Sequence, residues 1–333
     1  MTRREHARRM VSALDADTRL RLQVSPLGAM RRLGLTVKAV NELTSRRGAG
    51  GMCDGMSFTD SGTVLYAPTQ SRRENFTLAH EYAHLLVNRD DVPLIWLADA
   101  PEPAVELERL CDDIAGLLLV PEEAVDRVVG PGPVRGQHVF DLFHQTNASQ
   151  VVCAIALARR LNCTGAVLLT DRAQQTVVHA AVVGEPTIYP RAGQLLPTGH
   201  PLRQLAPRTH VCRESFWATP WGERSRCYLD AVASDKRTYA VLADLDLWQA
   251  ETLHLPGLDA PSTPAPQVEL TCRCGYIGPV RGWPCETCGR PFCSRCKDCD
   301  CSRRDAQQVT CDGCFLRIAA ADVVDGRCSE CRS

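Results

Sequence analysis

Long apolar runs are missing from this chain of 333 residues. Nowhere do about 18 apolar residues follow one another, which excludes a membrane-spanning helix. The N-terminus, MTRREHARRM, has no apolar stretch behind its charges, so no secretory signal is visible and a cytoplasmic location is expected. An excess of either charge is missing too. Against 38 basic residues stand 39 acidic ones, a net charge of −1, which excludes a protein that grips the nucleic-acid backbone with its whole surface. Lysine is scarce: only Lys38, Lys236 and Lys297 occur, a coding bias without chemical content. No repeat of fixed period exists apart from a recurring pair of cysteines near the end. What is present suits folded domains, with 44% apolar and 23% charged residues, and the length suits two or three of them.

Cysteine is the abundant exception, with 18 residues. Twelve fall after position 271 at short spacings, whereas Cys53, Cys111, Cys153, Cys163, Cys212 and Cys227 stand singly. In a reducing compartment, clustered pairs read as metal ligands, and single cysteines as small buried hydrophobes.

Composition divides the chain into an N-terminal helical arm (1–24), a mixed helical segment with short strands (25–162), a strand-rich segment (163–250), a proline-rich linker (251–269) and a cysteine-rich tail (270–333). In the second segment, residues 62–68 read as a short strand. Residues 71–87 read as a helix with an apolar stripe through Phe76, Ala79, Ala83 and Leu86. A second helix covers about 104–119 and stops ahead of Pro121. In the third, GAVLLTD and TVVHAAVVGE flank the polar turn DRAQQ as a hairpin would, and RCYLDAVA with TYAVLADLDLW reads as a second pair.

His80-Glu81-Tyr82-Ala83-His84 lies on the first of those helices. Residues i and i+4 share a helix face, so His80 and His84 can offer two imidazoles to one Zn²⁺. Glu81, one residue round, can then take a proton from a zinc-activated water as general base. A catalytic zinc needs a third protein ligand, and Glu108, on the second helix, is the leading candidate. Asp112 is four residues further on the same face, placed to accept the spare N–H of a ligand histidine. Glu106 and Asp113 are rival carboxylates, because periodicity does not fix the register. Spacing names no oxyanion donor beyond the metal. The isolated His138, His144, His179, His200 and His210 read as structural or solvated.

FTLAHEYAHLLV followed by ELERLCDDIAGLLLVP resembles the ImmA/IrrE family of zinc metallopeptidases. That family has a Phe-Thr lead-in to HExxH, then a glutamate, a small residue with Asn or Asp, and an apolar run closing in proline. Glu108, Cys111, Asp112, Ala115 and Pro121 stand at those positions. Tyr82 and Ala83 replace the commoner Leu-Gly pair, and Cys111 and Asp112 stand where Ala and Asn are more usual. None of these departures removes a ligand or the base. The resemblance covers about 25–160. It implies an α+β protein with a mainly helical, zincin-like peptidase domain and a short sheet. It also implies a cytoplasmic regulatory endopeptidase cleaving a helix-turn-helix repressor, and so a role in stress response and transcription regulation. In such proteins the middle segment is sometimes a ligand sensor of the GAF type. A small α+β extension fits the strand pairs here equally well.

The tail carries Cys272-x-Cys274, Cys285-xx-Cys288, Cys293-xx-Cys296, Cys299-x-Cys301, Cys311-xx-Cys314 and Cys328-xx-Cys331. Six pairs supply three Cys₄ sites, so about three structural zinc ions join the catalytic one. The last four cysteines have zinc-ribbon spacing. The first eight pair either sequentially or by interleaving, and spacing does not choose. The tail is poor in apolar residues, so metal binding should supply its folding energy. Residues 267–333 hold ten Arg or Lys and nine Asp or Glu. Three Cys₄ zinc sites would turn that balance to about −5, which favours docking of a protein over a nucleic-acid clamp. The alternative to a peptidase is a zinc-binding scaffold or transcription regulator that does not cleave and uses the tail for protein or nucleic-acid contact. An intact Glu81 argues for the enzyme, since a purely structural metal site has no use for a base.

Overall fold

In the computed structural model, the residues described are 1–41, 43, 54–186, 188–219, 222–250, 266–282, 284–285, 288–296, 298–299, 301, 308–310, 317–319 and 323–328. Chain contacts group them into two compact units, Met1–Ser215 with Cys227–Leu253, and Phe216–Arg226 with His254–Ser333. Among the described residues no helix is long and apolar enough to cross a membrane.

The larger unit opens with three short helices whose starts are written in the sequence. Thr2 and Glu5 form a capping box at α1 (Arg3–Ala13). Asp15 accepts the Thr18 N–H at α2 (Ala16–Val24), and Ser25 caps α3 (Pro26–Arg32) ahead of a proline that fits the first helical position. Three four-residue strands follow, β1 (Thr36–Ala39), β2 (Gly55–Phe58) and β3 (Thr63–Tyr66), in the order β1-β3-β2. β2 runs antiparallel to β3 and forms one edge of this sheet.

Next come α4 (Arg73–Val87), α5 (Asp91–Ala98) and α6 (Pro103–Leu119), the last ending before Pro121. α4 and α6 lie against each other between two hydrophobic cores. On one side Leu78, Tyr82, Ala83, Leu110, Cys111, Ile114 and Leu118 pack with Ala7, Met10, Leu22 and Met30 of the first three helices and Val64 of β3. On the other, Ala79, Ala115 and Leu119 join the core beneath α7 (Glu122–Val129), α8 (Gly136–Gln145) and α9 (Gln150–Ala158). Leu78, Leu110, Ile114 and Leu118 are fully buried, each contributing on the order of 2 kcal/mol from apolar burial. Arg72, just ahead of α4, donates to the carbonyls of Phe143 and Thr146 and so ties the start of that helix to the end of α8.

The second core also takes in a five-stranded antiparallel sheet of β4 (Gly165–Asp171), β5 (Thr176–Val183), β6 (His210–Ala218), β7 (Arg224–Ala233) and β8 (Arg237–Ala243), in the order β5-β4-β8-β7-β6. β4 and β5 are the expected hairpin. Asp171 accepts the N–H groups of Ala173 and Gln174 to shape its turn. β7 and β8 are the second expected pair. Helices and antiparallel strands together make the chain mixed α+β, the coarse class expected.

Cys111 and Cys153 are fully buried small hydrophobes, and burial pushes the Cys153 thiol up to about 11. Cys163, Cys212 and Cys227 are half-buried, and Cys53 lies outside the described residues. In the smaller unit β9 (Gln267–Thr271) pairs with β10 (Ile277–Arg281), β11 (Gln308–Thr310) with β12 (Arg317–Ala319), and β13 (Val323–Val324) with β14 (Arg327–Cys328).

Candidate metal centre

α4 has a wide apolar face, and the residues left outside the two cores bear the chemistry. His80 and His84, one helical turn apart, point the same way, with their Nε2 atoms 3.1 Å apart. α6 crosses opposite and brings Glu108, whose carboxylate oxygens lie 3.1 Å from His80 Nε2 and 3.6 Å from His84 Nε2. A tetrahedral ion held at about 2.0–2.1 Å separates its ligand atoms by about 3.3–3.4 Å, so these spacings fit one such ion. Two imidazoles and a carboxylate are also the donor set that a borderline-soft divalent ion such as Zn²⁺ prefers.

Asp112 accepts a hydrogen bond from His80 Nδ1 at 2.9 Å, which puts the proton on that nitrogen and leaves Nε2 a lone pair facing Glu108. Burial pulls the His80 imidazole down, but Asp112, Glu81 and Glu108 together carry it above its usual value. His84 is lowered, first by burial and then by the neighbouring His80. Between the two α6 carboxylates, Cys111 faces the core, and burial raises its thiol well beyond the ordinary range.

Glu81 is only 6% exposed, lying between α4 and the β2 edge. Burial raises its carboxyl, while His80 and a hydrogen bond from Ser57 pull the other way. The β2 backbone approaches so closely that a Cβ on Gly55 would fall 2.6 Å from Glu81 Oε1 and 2.8 Å from Thr77 Cγ2. Any larger residue there would have to displace the side chains of Glu81 and Thr77. Beside it, Asp54 makes a 2.6 Å ion pair with Arg73 at the first turn of α4. Gly55 and Ser57 escape sequence reasoning because β2 is four residues long and carries no alternation strong enough to mark a strand.

The rival carboxylates turn away from the histidines. Glu106 pairs with Arg3 and Arg109, while Asp113, buried, pairs with Arg3 at 2.8 Å and with Arg159. His138 Nδ1 accepts the Arg135 N–H, His200 is fully buried, and His210 Nε2 lies 2.8 Å from the buried Asp230.

Eight tail cysteines fall into two groups of four. Cys272, Cys274, Cys293 and Cys296 form one, and Cys285, Cys288, Cys299 and Cys301 the other. Within each group all four sulfurs lie within 4.8 Å of one another. The group expected at Cys311, Cys314, Cys328 and Cys331 lies outside the described residues, apart from the backbone of Cys328.

No family model matches the chain. Among curated proteins it is similar to the radiation response metalloprotease IrrE of Deinococcus deserti, at 28% identity over 220 residues, covering 61% of this chain and 76% of that protein. That likeness supports the ImmA/IrrE resemblance and a protease. Among solved structures, a Mycobacterium tuberculosis transcriptional regulator aligns over 72% of this chain and 74% of its own, at 16% identity and a TM-score of 0.39, too slight a likeness to carry an argument.

Proposed function

We propose that this chain is a zinc-dependent endopeptidase of the ImmA/IrrE family, regulatory in type, with a protein substrate of the helix-turn-helix repressor class. The observation that carries the reading is the meeting of His80, His84 and Glu108 on two packed helices with Glu81 buried beside them. The likeness to a protein named a metalloprotease supports it from a separate direction.

In this reading His80, His84 and Glu108 hold Zn²⁺, and Asp112 fixes the tautomer and orientation of His80. When bound, the ion supplies Lewis-acid chemistry toward a peptide carbonyl and toward water. The chain's own residues do the rest. The Glu81 carboxylate takes the proton of the attacking water and passes it to the leaving amine, so one group serves as base and then as acid. Its seat between α4 and Gly55 keeps it in one place for both transfers. The cysteine tail takes structural zinc and docks a protein partner, which suits a module whose charge turns negative once loaded.

Replacing Glu81 by glutamine tests this reading without knowledge of the substrate. New protein N-termini are mapped in cells producing either the original protein or Glu81→Gln. The expectation is a small set of termini that appear with the former and vanish with the latter, while purified Glu81→Gln keeps its zinc. Identical termini with both proteins would overturn the reading and favour the scaffold.

A further inference from the structure

Spacing leaves open which cysteine pairs of the tail share an ion, and the folded chain bears on that question. The first pair sits in the turn between β9 and β10. There Cys272 N–H donates to the Tyr276 carbonyl at 2.8 Å and Gly275 N–H to the Cys272 carbonyl at 3.0 Å. The second is built alike, with Cys285 N–H donating to Arg290 and Gly289 N–H to Cys285. Each of these two pairs is followed by a glycine at positive φ, Gly275 at +85° and Gly289 at +67°. That lets the chain double back and turn both thiols of a pair to one side. In the third, Cys293 N–H donates to Asp298.

These turns do not face their sequence neighbours. Cys272 Sγ lies 3.7 Å from Cys296 Sγ, and Cys274 Sγ 3.6 Å from Cys293 Sγ. Cys285 Sγ lies 3.6 Å from Cys301 Sγ. A disulfide brings its sulfurs to about 2.05 Å, and all eight cysteines are free. A tetrahedral thiolate site with metal–sulfur bonds of about 2.3 Å spaces its sulfurs by about 3.8 Å, close to what is seen.

We propose that these eight cysteines hold two Zn²⁺ ions in an interleaved arrangement, Cys272, Cys274, Cys293 and Cys296 on one and Cys285, Cys288, Cys299 and Cys301 on the other. The loop from Cys272 to Cys296 contains Cys285 and Cys288, and the loop from Cys285 to Cys301 contains Cys293 and Cys296. Each ion therefore closes a loop that carries half of the other's ligands. Little else holds this stretch together, since Val280 and Cys293 are the buried hydrophobic residues among those described there. The two ions accordingly load and leave as a unit. This proposal stands on the tail alone and is independent of the peptidase reading.

The pairing is read from the full chain with its zinc exchanged for ¹¹³Cd²⁺, through ¹¹³Cd–¹H correlations to cysteine Hβ protons. One cadmium resonance should connect to residues 272, 274, 293 and 296, and a second to 285, 288, 299 and 301. A resonance joining 272 and 274 to 285 and 288 would overturn the proposal, as would no cadmium on these residues. Coupling is read from zinc per chain in Cys288→Ala, measured on the whole protein. Two equivalents should be lost relative to the original, and the loss of a single equivalent would contradict the shared fate of the two ions.

Discussion

Asp112 and Glu108 stand one turn apart on α6 and address opposite nitrogens of the same imidazole, Nδ1 and Nε2 of His80. The pairing explains why a carboxylate that touches no metal in this arrangement belongs to the centre. Without it the His80 ring is free to rotate and to carry its proton on the wrong nitrogen. Asp112→Ala should therefore weaken zinc binding by about 10–100-fold, read by competition with a chromophoric chelator. Asp112→Asn, which keeps an oxygen acceptor, should lose less, and equal affinity in all three proteins would remove Asp112 from the account. Neither substitution touches the apolar faces of α6, so the folded state should persist. One residue round that helix, Asp113 shows what a purely structural carboxylate looks like. Asp113 is enclosed by two arginines, and its neighbours in space are 46 and 110 residues away in sequence.

α4 and α6 owe their precision to being packed on both sides, with one core formed by α1–α3 and β3 and the other by α7–α9 and the five-stranded sheet. The second core requires α8 to meet β8 backbone to backbone. A Cβ on Gly136 would lie 2.3 Å from the Tyr239 carbonyl oxygen, with no flexible side chain to give way. Gly136→Ala should cost roughly 1–3 kcal/mol, seen as a lower denaturant midpoint at unchanged slope. An unchanged midpoint would mean that this contact is looser than described. Elements of this length were legible in the sequence. The β-branched runs of β4 and β5 with their Asp171 turn announce a hairpin, and Pro121 marks the end of α6. The four-residue strands β1 and β2 were not, because alternation over so few positions carries almost no signal. The register of α6 was open for a different reason. VELERLCDDIAGLLL bears carboxylates on two faces, and the arginines that claim Glu106 and Asp113 come largely from remote parts of the chain. The sharing of ions among the tail's cysteine pairs was open because sequential and interleaved schemes use the same spacings.

At the scale of the molecule, two kinds of metal-capable donor set belong to separate compact units. Of His80, His84 and Glu108, only the Glu108 side chain is largely exposed, at 60% against 15% for His80 and 17% for His84, and the group leaves room for a fourth, non-protein ligand. The tail groups are all sulfur, four to a site, which leaves no open position and suits structure over catalysis. The two kinds of ion should therefore be separable by substitution. The most direct test of the account is zinc per chain, by elemental analysis, in the full-length protein and in His84→Ala. The account predicts one equivalent fewer in His84→Ala, with the thiolate-held zinc retained. Equal zinc in the two proteins would contradict a metal centre at His80, His84 and Glu108, and with it the endopeptidase.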